Sequence, residues 1–78
     1  MPQQEHEFTL ILSGVNDLND DVLDALYDSG CDDALIGMRD RTAFADFCRT
    51  ASSFEEAVSS AIRDVENAGI HAELQAQI

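Results

Sequence analysis

Two stretches of this chain carry the same three marks in the same order: a capping residue, an apolar stripe at helical spacing, and a closing glycine. In the first, Asn19 stands where its side chain accepts from a free backbone N–H. Val22, Leu23 and Leu26 form the stripe of a helix over Asp20 to Ser29, which Gly30 ends. Leu18 and Leu23 flank its start as a hydrophobic staple does. In the second, Ser53-Phe54-Glu55-Glu56 matches the capping box, in which serine and glutamate each satisfy a backbone donor left free at the helix start. Phe54, Val58, Ala61, Ile62 and Val65 then share one side of a helix running to Ala68, and Gly69 stops it.

The segments around these helices alternate with period two. From His6 to Ser13, Phe8, Leu10 and Leu12 take one face, Thr9 and Ile11 the other. Asp33 to Met38 and Thr42 to Cys48 are rich in strand formers and read as a hairpin across Arg39-Asp40-Arg41. The turn holds no Asn-Gly or Asp-Gly, which points to a loop longer than two residues. The tail predicts a one-sided strand, with Ile70, Ala72, Leu74, Ala76 and Ile78 against His71, Glu73, Gln75 and Gln77. The order is βαββαβ, an α+β, ferredoxin-like plan: a four-stranded antiparallel sheet, strand order 4-1-3-2, with both helices on one face. A chain of 78 residues forms one such domain, over 1–78, with a thin core.

Charge narrows function. Sixteen acids face four arginines and no lysine, for a formal charge of −12. Direct nucleic-acid binding needs a cationic footprint, so this chain is expected to repel nucleic acid, and anionic membrane surfaces as well. With no basic start and no apolar run longer than Leu10-Ile11-Leu12, a secretion signal or membrane span is not expected, and the cytoplasm is. Cys31 and Cys48 lack CxxC spacing, and reduced thiols are the expectation there. If the hairpin is centred between Arg39 and Asp40, the two cysteines face each other across its strands. Neither His6 nor His71 has a cysteine or serine at a motif spacing, so no nucleophilic catalysis and no enzyme is expected.

The acids are uneven. Nine lie before Arg39 with no base among them; seven lie beyond, with all four arginines. Asp20, Asp24 and Asp28 repeat every four residues and form a row with steps of about 6 Å on the first helix, with Asp17 and Asp21 beside it. Helix energetics does not favour that row: like charges at i,i+4 repel, and Asp28 opposes the helix dipole in the last turn. Two steps along a duplex strand advance about 6.8 Å, close to the carboxylate repeat, so the row is able to imitate phosphates. A solvated acidic face that keeps the chain soluble is the alternative meaning. Asp32 and Asp33 extend the row, and Glu55, Glu56 and Glu66 form a candidate second anionic area. The D-x-D-x-D-G calcium loop is absent, the histidines fall at opposite ends of the sheet, and neither a metal nor another cofactor is expected.

The uncovered sheet face resembles that of RNA-recognition modules in placing aromatics on its third strand, RTAFADF, but lacks their glycines and their charge. Phe44 and Ile11 would form a small apolar patch there, open to dimerisation or simply poorly covered.

The segments EFTLILSG, VLDALYDSGCDDALIGMRD and SFEEAVSSAIRDVENAGI together resemble a group of short, acidic bacterial proteins. In size and acidity the chain is also similar to the anti-CRISPR proteins of phages and mobile elements, with which it shares no motif. That resemblance implies a non-enzymatic inhibitor whose partner is a basic nucleic-acid-binding protein, such as a type I CRISPR–Cas surveillance complex, blocked by a DNA mimic. Asp20, Asp21, Asp24, Asp28, Asp32 and Asp33 are the expected contacts on charge geometry alone. The competing expectation is an antitoxin-like or regulatory interaction module that uses the sheet face or edge, as a monomer or weak dimer. A paired ligand-sensing domain is a third, on architecture alone.

Overall fold

The computed structural model describes residues 3–15 and 18–75. Its elements run β1 (Gln4–Ser13), α1 (Asp20–Asp28), β2 (Ala34–Arg39), β3 (Thr42–Ala51), α2 (Phe54–Asn67) and β4 (His71–Leu74). All strand pairs are antiparallel and the sheet order is β2-β3-β1-β4, the ferredoxin-like order expected from the sequence. Ala76, Gln77 and Ile78, assigned to the tail strand, and Asp17, placed beside the acidic row, lie outside the described residues.

The two helix ends are built alike. The Asn19 side chain accepts from the Val22 N–H at 3.0 Å, and the Ser53 hydroxyl accepts from the Glu56 N–H at 3.1 Å. At the far ends, Gly30 (φ 112°) and Gly69 (φ 86°) take the left-handed conformation. Cys31 N–H then reaches back to Leu26 C=O and Gly30 N–H to Tyr27 C=O; Ile70 to Val65 and Gly69 to Glu66 repeat the pattern. The capping box is half formed. The Glu56 carboxylate accepts from the Ser52 hydroxyl, where the sequence had assigned it the Ser53 backbone.

One face of the sheet carries the core. Phe8, Leu10 and Leu12 of β1, Ala43, Ala45, Phe47 and Ala51 of β3, and Ala72 of β4 pack with Leu26 of α1 and Ala57, Val58, Ala61 and Val65 of α2. The alanines Ala57 and Ala61 of α2, facing Ala43 and Ala45 of β3 in the core, leave room for α2 to pack on the sheet. The Phe8 and Phe47 rings stack at 5.4 Å, and Phe54 meets Phe8 edge-on. Alternation on β4 is weaker than its sequence: Ala72 is buried, while Leu74, assigned to the same face, is exposed at the end of the strand.

The β2–β3 hairpin departs from expectation. Arg39 pairs with Thr42, so the turn is the two residues Asp40 and Arg41, both at positive φ (51° and 66°). This is the mirror-image turn that twist-matched hairpins prefer, formed here without glycine. The pairing axis therefore falls between Asp40 and Arg41, and Cys31 is not opposite Cys48. Cys31 is buried before β2 begins, Cys48 is exposed on β3, and both are free thiols.

Candidate functional site

Asp20, Asp21, Asp24 and Asp28 are all exposed on α1, and Asp32 is exposed in the loop after it. Asn19 fixes where the helix starts, and Leu26, fully buried, fixes which side turns inward. The row from Asp20 to Asp28 spans about 12 Å of helix axis. No ion pair involves these five carboxylates among the described residues.

Asp33 is placed differently. Its carboxylate receives two bonds from Arg49, Nε to Oδ2 at 2.7 Å and Nη2 to Oδ1 at 2.9 Å. Arg49 also donates to Asp64 Oδ2 (3.0 Å), Ser60 Oγ (3.1 Å) and Gly30 C=O (3.0 Å), with its guanidinium 5.0 Å from the Phe47 ring centroid. All five guanidinium N–H groups are therefore used, joining β3 to α2 and to the loop that leaves α1. The Asp33 bonds, above all, hold the Arg49 pKa above its usual range against the opposing effect of burial. The sequence reading passed over Arg49, whose partners lie 11 to 19 positions away. Its signal was register. Ala43, Ala45 and Phe47 point inward, so Arg49 two places on points inward too.

Glu55 and Glu56 are exposed at the start of α2 and Glu66 near its end, separated by about 15 Å of helix rise. Glu66 lies 3.8 Å from His71, whose other ring nitrogen lies 3.5 Å from Glu73. His71 is registered opposite Ser13 and His6 opposite Arg49, at the two ends of β1. Among the described residues no cluster of three or more metal-ligating side chains occurs, and no helix is long and apolar enough to cross a membrane.

The uncovered sheet face bears Thr9 and Ile11 of β1 opposite Asp46 and Phe44 of β3. The Thr9 hydroxyl donates to Asp46. The Phe44 ring lies over Gly37, where a Cβ would meet Phe44 Cζ at 2.9 Å, and the Arg39 guanidinium sits 5.8 Å from the same ring. Ile11 and Phe44, both half-buried, line a shallow depression of about 440 Å³ with Thr9, Asp46, Arg39 and Gln75 among its walls.

No family model, curated protein or solved structure matches the chain.

Proposed function

We propose that this protein is a non-enzymatic interaction module that presents the acidic side of α1 to a cationic groove of a nucleic-acid-binding protein, where its carboxylates occupy phosphate positions. The observation that supports the reading is the exposed set Asp20, Asp21, Asp24, Asp28 and Asp32, free of ion pairs among the described residues. Charge of one sign gathered on one side of a helix steers association and makes it salt-sensitive. A CRISPR–Cas surveillance complex is the partner class that the acidity and size of the chain bring forward, and inhibition would follow from occupancy.

The test is capture from host lysate at low and at high salt, comparing the native chain with the triple variant Asp20→Lys, Asp24→Lys, Asp28→Lys. A basic nucleic-acid-binding protein retained only at low salt, and lost with the variant, supports the reading. A folded variant that still blocks nucleic-acid binding removes the row from the mechanism. The depression beside Phe44 and Ile11 favours a second reading, an interaction module that uses the sheet face; its binding would survive high salt and fail in Phe44→Asp.

A further inference from the structure

β2 is an edge strand whose own sequence offers little to block pairing, its one charge being Arg39 at the end. Edge strands are normally guarded by charge, proline, a bulge or a covering segment. Ala34-Leu35-Ile36-Gly37-Met38-Arg39 has no proline and no acid, whereas β1, β3 and β4 each carry at least one acid. Leu35 is 71% exposed and Met38 38%.

The hydrogen-bond phase of β2 is fixed by its partner. Cys48 N–H donates to Asp33 C=O, so along this antiparallel ladder the odd-numbered residues face β3. Ala34, Ile36 and Met38 therefore turn their backbone groups away from the sheet. The Ala34 N–H is already bound to Cys31 C=O, which leaves the N–H groups of Ile36 and Met38 and the carbonyls of all three facing outward.

Charge along the segment is polar. Asp32 and Asp33 precede the strand; Arg39 ends it and Arg41 follows. An antiparallel partner of the same sequence reverses that polarity and is complementary to it.

We propose that β2 pairs with β2 of a second copy across a two-fold axis at Ile36, joining two four-stranded sheets into one. Centred there, Ile36 exchanges both of its bonds with Ile36 of the second copy, and each Met38 N–H donates to the opposite Ala34 carbonyl. Four new backbone bonds result. Leu35 comes to lie against Gly37 of the second copy, and Arg39 is registered beside the acidic end of its β2, where Asp33 already holds Arg49 and Asp32 is free of ion pairs among the described residues. The like charge of the two copies opposes association, and the contact is one strand long, so the dimer is weak and concentration-dependent. This inference is independent of the acidic row on α1.

Sedimentation equilibrium at physiological ionic strength, up to about 1 mM protein, tests it on the native chain, Arg39→Asp and Met38→Pro. Proline at position 38 removes an outward N–H without taking a bond from the β2–β3 ladder. The native chain is expected to shift from monomer to dimer with concentration, and each variant to weaken that shift at least about tenfold. Amide exchange in the native chain gives a readout independent of variant folding: the Ile36 and Met38 amides gain protection as concentration rises. A native chain that stays monomeric, a dimer unchanged in natively folded variants, or protection at Ile36 and Met38 that does not depend on concentration would overturn the proposal.

Discussion

Arg49 grips Asp33 as a fork grips a fork: Nε and Nη2 of one plane meet Oδ2 and Oδ1 of the other at 2.7 and 2.9 Å. The Arg49 side chain is 13% exposed and that of Asp33 33%, so the pair lies at the edge of the core, partly shielded from water. All five hydrogen bonds of this guanidinium reach residues that precede Arg49 by at least 16 positions or belong to α2. Arg49→Ala strands the carboxylate of Asp64 and the carbonyl of Gly30. We expect a loss of about 2 kcal/mol of stability, below that of a fully buried pair because water reaches part of this one. Arg49→Lys keeps the charge without the fork and is expected to recover less than half of it. Urea unfolding followed by circular dichroism measures both.

Gly30 serves that cluster twice. Its φ of 112° lies where side chains are strained, and a Cβ there would fall 2.9 Å from Asp64 Oδ2, the atom bound to Arg49. Gly30→Ala is expected to cost about 2 kcal/mol. Gly14→Ala, also at positive φ but with open space around the new carbon, is expected to cost about 1 kcal/mol. Equal losses at the two sites would show that the Asp64 contact yields freely.

Asp40 and Arg41 hold a mirror-image turn in which aspartate is a tolerated residue and Arg41 stands where glycine is favoured. Replacing them together, Asp40→Asn with Arg41→Gly, supplies the favoured pair without altering the register. A gain of about 1 kcal/mol is expected in thermal unfolding. No gain would mean that the strained turn is relieved elsewhere.

Asp28 stands exposed in the last turn of α1, at the negative end of the helix dipole and one turn after Asp24. Asp28→Lys is therefore expected to raise stability by about 0.5 kcal/mol. Under the proposed function the same change weakens partner binding. Thermal unfolding and binding measured on one variant separate the two effects, and a variant that gains in both removes Asp28 from the interface.

The thiols differ in access. Cys31 is fully buried, and burial, ahead of the charges around it, raises its pKa. Cys48 is exposed, but local desolvation and then the carboxylates of Glu5 and Glu7 raise its pKa as well. An aromatic disulfide reagent is expected to label one thiol per native chain, more slowly than a free cysteine at pH 8, with the rate climbing as pH passes above the ordinary thiol range. Glu7→Gln lowers that pKa and quickens the reaction. Because the unfolded chain gives up the Cys31 proton first, the folded state loses stability as pH rises through the ordinary thiol pKa. Rapid labelling of both thiols in the native chain would contradict this placement of Cys31.

The helices were legible because their signals are local. Asn19 and Gly30 bracket one helix across 11 positions and Ser53 and Gly69 the other across 16, and the caps form where the sequence puts them. Phe8, Leu10 and Leu12 disclosed the inner face of β1 in the same way. The hairpin turn was misread because half of its signal is missing: Asp40 suits a positive φ, but Arg41 stands where glycine would announce one. One shifted position there moved the whole register and created the false Cys31–Cys48 pairing. The exposed aspartates of α1 were readable from their four-residue spacing. The capture of Asp33 was not, since it depends on an arginine two elements away.

Unequal anchoring of the two helices sets how each behaves under thermal agitation. α2 commits Ala57, Val58, Ala61 and Val65 wholly to the interior, α1 only Leu26. Hydrogen exchange should thus reach the α1 amides through small, frequent openings that leave the sheet intact, while α2 exchanges only when the domain comes apart. The element that displays the carboxylates is then the more lightly held of the two, fastened at its exit by the bonds of Arg49 to Gly30 and Asp33.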